Sequence, residues 1–140
     1  MTMEGGCFCG ALRYRIKGIP RRVTHCHCVH CRRTSGAPFV TWAEFSPAQF
    51  EFVTGTPGRC ESRPKVTRQF CANCGTQLTY EHADEPGTID VTAASLDAPD
   101  AVHPEDHVWC DRMLPWVQLS DGLPRYNLSR GQPTEGGESD

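Results

Sequence analysis

Apolar and polar side chains alternate along several short stretches of this chain. Leu12, Tyr14 and Ile16 alternate with basic residues, and a period of two predicts a strand with one wet face. β-Branched and aromatic residues, separated by Gly, Pro and Asp, predict further strands at 39–45, 50–53, 66–70, 76–80, 88–92 and 107–110. Ser46-Pro47 predicts one short helical turn. With no long amphipathic helix in the pattern, the chain is predicted to be mainly β with few short helical turns.

The length and composition predict one small domain. The chain has 140 residues, with 13 Gly and 11 Pro, and so many turn-forming residues argue against a helix bundle. From Ser129 to Asp140 no large apolar side chain occurs. We therefore expect a folded domain over residues 1–128 and a disordered tail over 129–140.

The charge and the apolar pattern restrict the expected partners. A net charge of −3 leaves no basic surface for nucleic acid. No apolar stretch approaches the roughly 20 residues of a membrane helix, and residues 1–6 lack the features of a secretory signal. These observations predict a cytoplasmic protein that binds neither nucleic acid nor membrane. Thiols stay reduced in the cytoplasm, so clustered cysteines indicate metal binding rather than disulfides.

Seven of the nine cysteines fall into three clusters. Cys71-x-x-Cys74 followed by Gly75 is typical of a zinc knuckle, whose turn directs two thiolates at one point. A redox Cys-x-x-Cys would need a βαβ context, and this segment is predicted to be a hairpin. Cys7-x-Cys9 is the simplest complement, because residues two apart on an extended chain face the same way. These four cysteines are predicted to hold a structural zinc.

The third cluster, Cys26-x-Cys28-x-x-Cys31, allows two interpretations. In one, Cys60 or an interleaved histidine (His25, His27 or His30) closes a second structural site. In the other, three thiolates leave one exchangeable position, which is the arrangement of a catalytic site. Three anionic sulfurs soften the metal and favour a further sulfur ligand, which binding would deprotonate. The open interpretation thus predicts a thiol substrate.

The remaining cysteines and histidines carry weaker expectations. Cys60, in a predicted loop, and Cys110 are expected to be small buried residues. His107 is expected to be a buried, hydrogen-bonded structural histidine, and a catalytic pair with Cys110 is disfavoured because the two face opposite sides of a predicted strand. The three histidines of the third cluster are expected either to orient zinc ligands or shuttle a proton, or to be solvated.

The order of the three clusters resembles the glutathione-dependent formaldehyde-activating family, also called the CENP-V/GFA domain. The resemblance rests on Gly6–Gly10, on His25–Phe39, on Phe70–Leu78 and on the stretches His107–Trp116 and Asp121–Pro124. It extends over about residues 5–127 and implies a β-rich fold related to the Mss4-like zinc folds. It also implies two zinc ions per chain, a structural one on Cys7, Cys9, Cys71 and Cys74 and an active-site one on Cys26, Cys28 and Cys31.

The activity that the resemblance implies is the addition of glutathione to formaldehyde, classed as a carbon–sulfur lyase reaction. The expected partners are therefore a small-molecule thiol and a small aldehyde. The alternative function is a non-catalytic zinc module that binds a protein partner. A third hypothesis, metal or redox sensing by the thiolates, predicts reversible zinc release under mild oxidant.

Overall fold

The structure is a computed structural model that describes residues 1–130, and the predicted tail from residue 131 onward lies outside the described residues. Within residues 1–130 there are ten strands and one α-helix, so the mainly β prediction is confirmed. The strands are β1 (Thr2–Gly6), β2 (Arg13–Lys17), β3 (Arg22–Cys26), β4 (Val40–Phe45), β5 (Phe50–Thr54), β6 (Gly58–Arg63), β7 (Val66–Phe70), β8 (Gln77–His82), β9 (Ile89–Thr92) and β10 (Asp106–Val108), and the helix is α1 (Val29–Ser35).

Short 3₁₀ helices connect the strands at Pro47–Gln49, Ala93–Ser95, Pro99–Ala101 and Cys110–Arg112. The first is the predicted helical turn, and its start is fixed by a capping box between Ser46 and Gln49. Of the helices in the described part of the chain, none has the length and apolarity needed to cross a membrane.

The chain forms two compact units. The first consists of Met1–Arg22 and Ala43–Val102, and the described part of the second consists of residues 23–42 and 103–130. All four cysteines of the predicted structural site belong to the first unit, and all three of the predicted catalytic site belong to the second. Each candidate site can therefore be described within one unit.

The first unit contains an antiparallel sheet in the order β1-β2-β5. Tyr14 and Ile16 of β2 are fully buried, as the alternating pattern predicts. The same unit contains the antiparallel run β9-β8-β7-β6. The hairpin of β7 and β8 carries the Cys71–Cys74 turn between its strands, so the cysteine knuckle lies where the pattern places it.

The second unit has an unusually polar interior. Strand β10 pairs with β3 in parallel, which sets His107 opposite His25 and Val108 opposite Cys26. His27 and His107 are completely buried, and Asp106 is 1% exposed. Buried polar side chains require partners, and Asp106 has them in Thr24 and Arg130. A core of histidines beside cysteines indicates a site rather than a structural interior alone.

Three local predictions are wrong. The strand predicted at 107–110 ends at Val108, because Trp109 adopts a left-handed conformation (φ 56°) and Cys110 begins a 3₁₀ helix. Cys60 lies in β6 rather than in a loop. It is also exposed, and Cys110 is partly exposed, so neither is the small buried residue that was expected.

Candidate metal centres

The Cys71–Cys74 turn is closed by backbone hydrogen bonds. The amide of Cys71 donates to the carbonyl of Thr76 (2.9 Å), and the amide of Gly75 donates to the carbonyl of Cys71 (2.7 Å). Gly75 has φ 86°, a conformation that a residue with a Cβ rarely adopts. The turn therefore holds the two sulfurs on one side of the hairpin end.

The Cys7–Cys9 segment forms a similar tight turn after β1. The amide of Gly10 donates to the carbonyl of Cys7 (3.2 Å), and the amide of Cys7 donates to the carbonyl of Leu12 (3.1 Å). Gly10 has φ 82°. This segment contacts the knuckle through the amide of Phe8, which donates to Oγ1 of Thr76 over 3.1 Å.

The four sulfurs of these two turns form one group, with all of them within 4.8 Å of one another. The Cys7 and Cys9 sulfurs are 3.6 Å apart, and those of Cys9 and Cys71 are 3.7 Å apart. A tetrahedral zinc with Zn–S bonds near 2.3 Å separates its sulfurs by roughly 3.8 Å. The spacing and the all-thiolate donor set both fit zinc.

Each sulfur of this group also has a hydrogen-bond partner other than the four sulfurs. The amide of Leu12 donates to Cys7, the side-chain amide of Asn73 donates to Cys9, and the amide of Cys74 donates to Cys71. The hydroxyl of Thr76 lies 3.2 Å from the Cys74 sulfur. That contact, with the Thr76 amide, lowers the pKa of Cys74 from 9.0 to about 5. Donors that stabilise thiolates are the environment a metal site needs.

The second group is built where β3 meets α1. Cys26 ends β3, Cys28 is the N-cap of α1, and Cys31 lies in the first turn of the helix. The Cys28 sulfur accepts a hydrogen bond from the amide of Cys31 (3.2 Å). Gly36, at φ 72°, ends the helix. The strand-to-helix corner thereby brings three sulfurs together from six residues of sequence.

These three sulfurs are buried, with Cys26, Cys28 and Cys31 at most 6% exposed. The Cys26 and Cys31 sulfurs are 3.5 Å apart, and all three lie within 4.8 Å of one another. The indole Nε1–H of Trp42 donates to the Cys31 sulfur (3.3 Å). Within residues 1–130 the group has three members and includes no histidine. The distances fit zinc, and the donor set leaves a tetrahedral ion one ligand short.

Crowding opposes ionisation of these thiols when no cation is present. The contacts of Cys26 with Cys28 and Cys31, together with burial, raise the pKa of Cys26 well above its usual value. For Cys28 the contact with Cys26 lowers the pKa, but the contact with Cys31 and burial outweigh it and raise the pKa to about 12. Without a cation these thiols therefore stay protonated, and a metal that binds here would have to displace their protons.

A chain of hydrogen bonds joins two histidines of the second unit to Asp121. Nε2 of His27 lies 2.9 Å from Nδ1 of His107, and Nε2 of His107 lies 2.8 Å from Oδ2 of Asp121. Burial, followed by the charge of His107, lowers the pKa of His27 to about 4. Nδ1 of His25 lies 2.7 Å from Oγ1 of Thr41. The expectation that His107 is buried and hydrogen-bonded is confirmed.

A third potential ligand group combines two histidines that the sequence singled out separately with an aspartate that it did not. His25, His107 and Asp121 offer ligand atoms within 4.8 Å of one another. No role for Asp121 follows from the sequence alone, because a lone Asp before Gly122 also fits an ordinary turn. The parallel pairing of β10 with β3 brings His25 and His107 together. The pattern of apolar and polar residues does not show which distant strands pair, so this proximity could not be predicted.

A family model and one curated relative name the same family. The model of the family described as glutathione-dependent formaldehyde-activating enzyme matches residues 2–112. A Halomonas elongata protein named "Putative glutathione-dependent formaldehyde-activating enzyme" is 25% identical over 128 residues, which cover 85% of this chain and 82% of that protein. A Schizosaccharomyces pombe protein named as an uncharacterized lyase is 31% identical over 83 residues, 58% of each chain.

A solved structure shares the fold. The crystal structure of a Rhodobacter sphaeroides protein superposes with a TM-score of 0.56, covering 88% of this chain and 99% of that chain at 21% sequence identity. At this identity the likeness concerns the fold alone.

Proposed function

Because the chain belongs to the glutathione-dependent formaldehyde-activating enzyme family, we propose that it is a zinc-dependent enzyme that joins a thiol to a small aldehyde. The thiol is glutathione or a similar molecule, and the aldehyde is formaldehyde or a close analogue. Cys26, Cys28 and Cys31 hold the catalytic zinc in this proposal. Cys7, Cys9, Cys71 and Cys74 hold a structural one.

The observation that carries the proposal is the three-membered cysteine group of the second unit. A closed structural zinc has four protein ligands, whereas a catalytic zinc keeps one position for water or substrate. The first group has four sulfurs and the second has three. Three thiolates give a soft, electron-rich ion, which favours a sulfur ligand over an oxygen ligand.

Zinc bound by Cys26, Cys28 and Cys31 would lower the pKa of a coordinating thiol, so that the sulfur is a nucleophile near neutral pH. The protein's own contribution is to provide the buried surroundings of this metal position. Burial of the three cysteines keeps bulk water away and strengthens local electrostatic interactions. The indole N–H of Trp42 and the amide of Cys31 donate to two of the sulfurs and limit the negative charge that they pass to the metal.

The loop between Cys26 and Cys28 is anchored by His27. Its amide donates to the carbonyl of Val108 (3.1 Å), and its ring is hydrogen-bonded to His107. The ring also packs on Phe39, with centroids 4.9 Å apart. We infer that His27 orients the two cysteines on either side of it, which is the orienting role that the sequence analysis weighed for this histidine.

The reaction is an addition that balances without a further reactant. The thiol sulfur supplies the electron pair for the new C–S bond, and the C=O π bond of the aldehyde breaks. The aldehyde oxygen becomes a hydroxyl, and the proton that the thiol loses is equivalent to the one that this oxygen gains. No oxidant or reductant takes part, which agrees with a metal that has no redox chemistry.

We propose that two arginines of the second unit bind the carboxylates of a glutathione-like thiol. Arg33 is exposed in the last turn of α1, the helix that carries Cys31. Arg125 is exposed and lines an open cleft with residues 117–120. Guanidinium groups bind carboxylates through paired hydrogen bonds.

The alternative function is a non-catalytic zinc module, and one observation favours it. Phe8, between the two cysteines of the Cys7–Cys9 turn, is 94% exposed. Aromatic side chains are enriched in protein interfaces, and an exposed one is available to contact a protein partner. In that case the three-cysteine group would serve stability only.

The experiment compares Cys28→Ser with Cys71→Ser. Zinc is counted per chain, folding is followed by thermal melting, and the exchange between free and glutathione-bound ¹³C-formaldehyde is measured by NMR. We expect the unchanged chain to bind two zincs and to accelerate exchange. Cys28→Ser should keep the fold and one zinc but lose the acceleration. Cys71→Ser should lose stability, because structural zinc contributes folding free energy directly.

Equal loss of stability in both variants, with no acceleration by the unchanged chain, would support the non-catalytic alternative. Cys60→Ser is the matched control, since Cys60 is an exposed cysteine of β6. It should change neither the zinc count, nor the melting temperature, nor the rate of formaldehyde exchange. A zinc count of one in the unchanged chain would contradict the catalytic proposal.

A further inference from the structure

A third cluster of ligand side chains lies in the second unit and includes none of the seven clustered cysteines. We propose that His25, His107 and Asp121 bind a divalent first-row transition metal through Nε2 of each histidine and Oδ2 of the carboxylate. The ligand atoms lie within 4.8 Å of one another. This site is independent of the function proposed above.

The strongest support is that each of the three residues is held by its other polar atom. Nδ1 of His25 lies 2.7 Å from Oγ1 of Thr41, and Nδ1 of His107 lies 2.9 Å from Nε2 of His27. Metal-bound histidines almost always use their second ring nitrogen in this way, which fixes the ring and its tautomer. The pattern leaves one ligand nitrogen on each ring.

The carboxylate follows the same pattern. Oδ1 of Asp121 accepts a hydrogen bond from the amide of Leu123 (3.1 Å), while Oδ2 faces Nε2 of His107 at 2.8 Å. The side chain of Asp121 is 34% exposed, whereas that of His107 is fully buried. A metal could therefore enter from the side of the carboxylate and meet the two imidazoles behind it.

The contact between His107 and Asp121 needs only a small adjustment. Metal–ligand bonds of about 2 Å place two ligand atoms of a tetrahedral ion roughly 3.3 Å apart. Nε2 of His107 and Oδ2 of Asp121 are 2.8 Å apart, so this distance would increase by about half an ångström on metal binding. The rings of His25 and His107 already lie close, with centroids 4.7 Å apart and planes tilted by 31°. A hydrogen-bonded pair of His107 and Asp121 does not involve Nε2 of His25, whereas a bound metal would use it.

The donor set determines which cation is expected. Two imidazoles and one carboxylate suit Fe²⁺, Co²⁺, Ni²⁺ or Zn²⁺ and leave coordination positions open, whereas Mg²⁺ and Ca²⁺ prefer oxygen ligands. The cysteine groups present sulfur alone. The chain would then have two classes of site with different metal preferences.

The test uses the full chain loaded with two equivalents of zinc, so that the cysteine groups are filled first. Co²⁺ is then added, because zinc binds these ligands more tightly than cobalt and is not displaced. We expect one further equivalent of cobalt per chain. Its ligand-field spectrum should lack the intense charge-transfer band that thiolate ligands produce. Dialysis and elemental analysis should give two zincs and one cobalt.

Asp121→Asn and His25→Gln test the ligands, and each should weaken cobalt binding at least tenfold while the zinc count stays at two. Asp111→Asn and His103→Gln are the matched controls, because both are exposed residues of the same unit, and neither should change the affinity. The proposal is overturned if the zinc-loaded chain takes up no further cobalt, or if both ligand variants, still holding two zincs, bind it unchanged.

Discussion

The indole Nε1–H of Trp42 donates a hydrogen bond to the sulfur of Cys31 over 3.3 Å, and both side chains are buried. An N–H donor aimed at a thiolate stabilises the anion and lowers the electron density that it gives to a metal. Trp42 lies in β4 and Cys31 in α1, so the bond also joins the helix of the three-cysteine group to a strand.

Replacing Trp42 by phenylalanine should weaken metal binding at the three-cysteine group. Phenylalanine keeps the aromatic packing but removes the donor, and loss of such an outer partner typically lowers metal affinity by about 10- to 100-fold. Competition with a chromophoric chelator measures this affinity. Trp116→Phe is the control, because Trp116 is 68% exposed and its replacement should leave the affinity unchanged. Equal affinities in all three proteins would show that the indole has no role at the metal.

Replacing Gly75 by alanine should destabilise the cysteine knuckle. Gly75 has φ 86°, and an added Cβ would meet no neighbouring atom, so the cost arises from the backbone alone. A left-handed conformation costs a residue with a Cβ about 1–2 kcal/mol. Chemical denaturation of the zinc-loaded protein measures the free energy of unfolding.

Gly87→Ala is the matched control for this change. Gly87 also has open space around an added Cβ, but its φ is outside the left-handed range. We expect the control to leave stability unchanged or to raise it slightly, because alanine restricts the unfolded chain. A Gly75→Ala variant as stable as Gly87→Ala would mean that the turn relaxes without cost.

Tyr14 should make the stability of the first unit sensitive to alkaline pH. Burial raises its pKa from 10.0 to about 12, although the hydrogen bond to Ser95 opposes the shift. Because the folded pKa lies above the unfolded one, this stability is fully present below pH 10. It is lost as the pH rises from about 10 to 12. Urea midpoints measured across this range would show the effect.

Tyr14→Phe isolates this contribution. The hydroxyl of Ser95 donates to the carbonyl of Thr92 (2.8 Å), so the Tyr14 hydroxyl is the donor in its 2.7 Å contact with Ser95. Removing it should cost about 1 kcal/mol at neutral pH and reduce the alkaline loss of stability. Tyr126→Phe is the control, and its stability should fall at alkaline pH as much as that of the unchanged chain. An unchanged alkaline profile in Tyr14→Phe would assign the loss to other groups.

The strands with clear alternation could be predicted from the sequence. Tyr14 and Ile16 are buried on one face of β2, and the β7–β8 hairpin presents Cys71 and Cys74 in its turn, because both patterns are local. Strands β1, β3 and β6 and the seven-residue helix α1 were not predicted. None of these four segments has a periodic arrangement of apolar and polar residues long enough to identify it.

The cysteine groups were accessible from the sequence because short spacing forces ligands together, and the two spacings at 26–31 and 71–74 are short. The cluster of His25, His107 and Asp121 was not accessible. It depends on the parallel pairing of β10 with β3, and on the turn that returns Asp121 to His107. Sequence spacing does not report contacts between residues more than 80 positions apart.

The central claim is that Cys26, Cys28 and Cys31 leave one metal position for a thiol. The most direct measurement is the cobalt–thiolate charge-transfer absorption of the chain with Co²⁺ in both cysteine groups, titrated with glutathione. We predict a rise in absorption that saturates at one glutathione per chain, is absent in Cys28→Ser, and does not occur with S-methylglutathione. The account is contradicted if glutathione leaves the absorption unchanged while both cobalt ions stay bound.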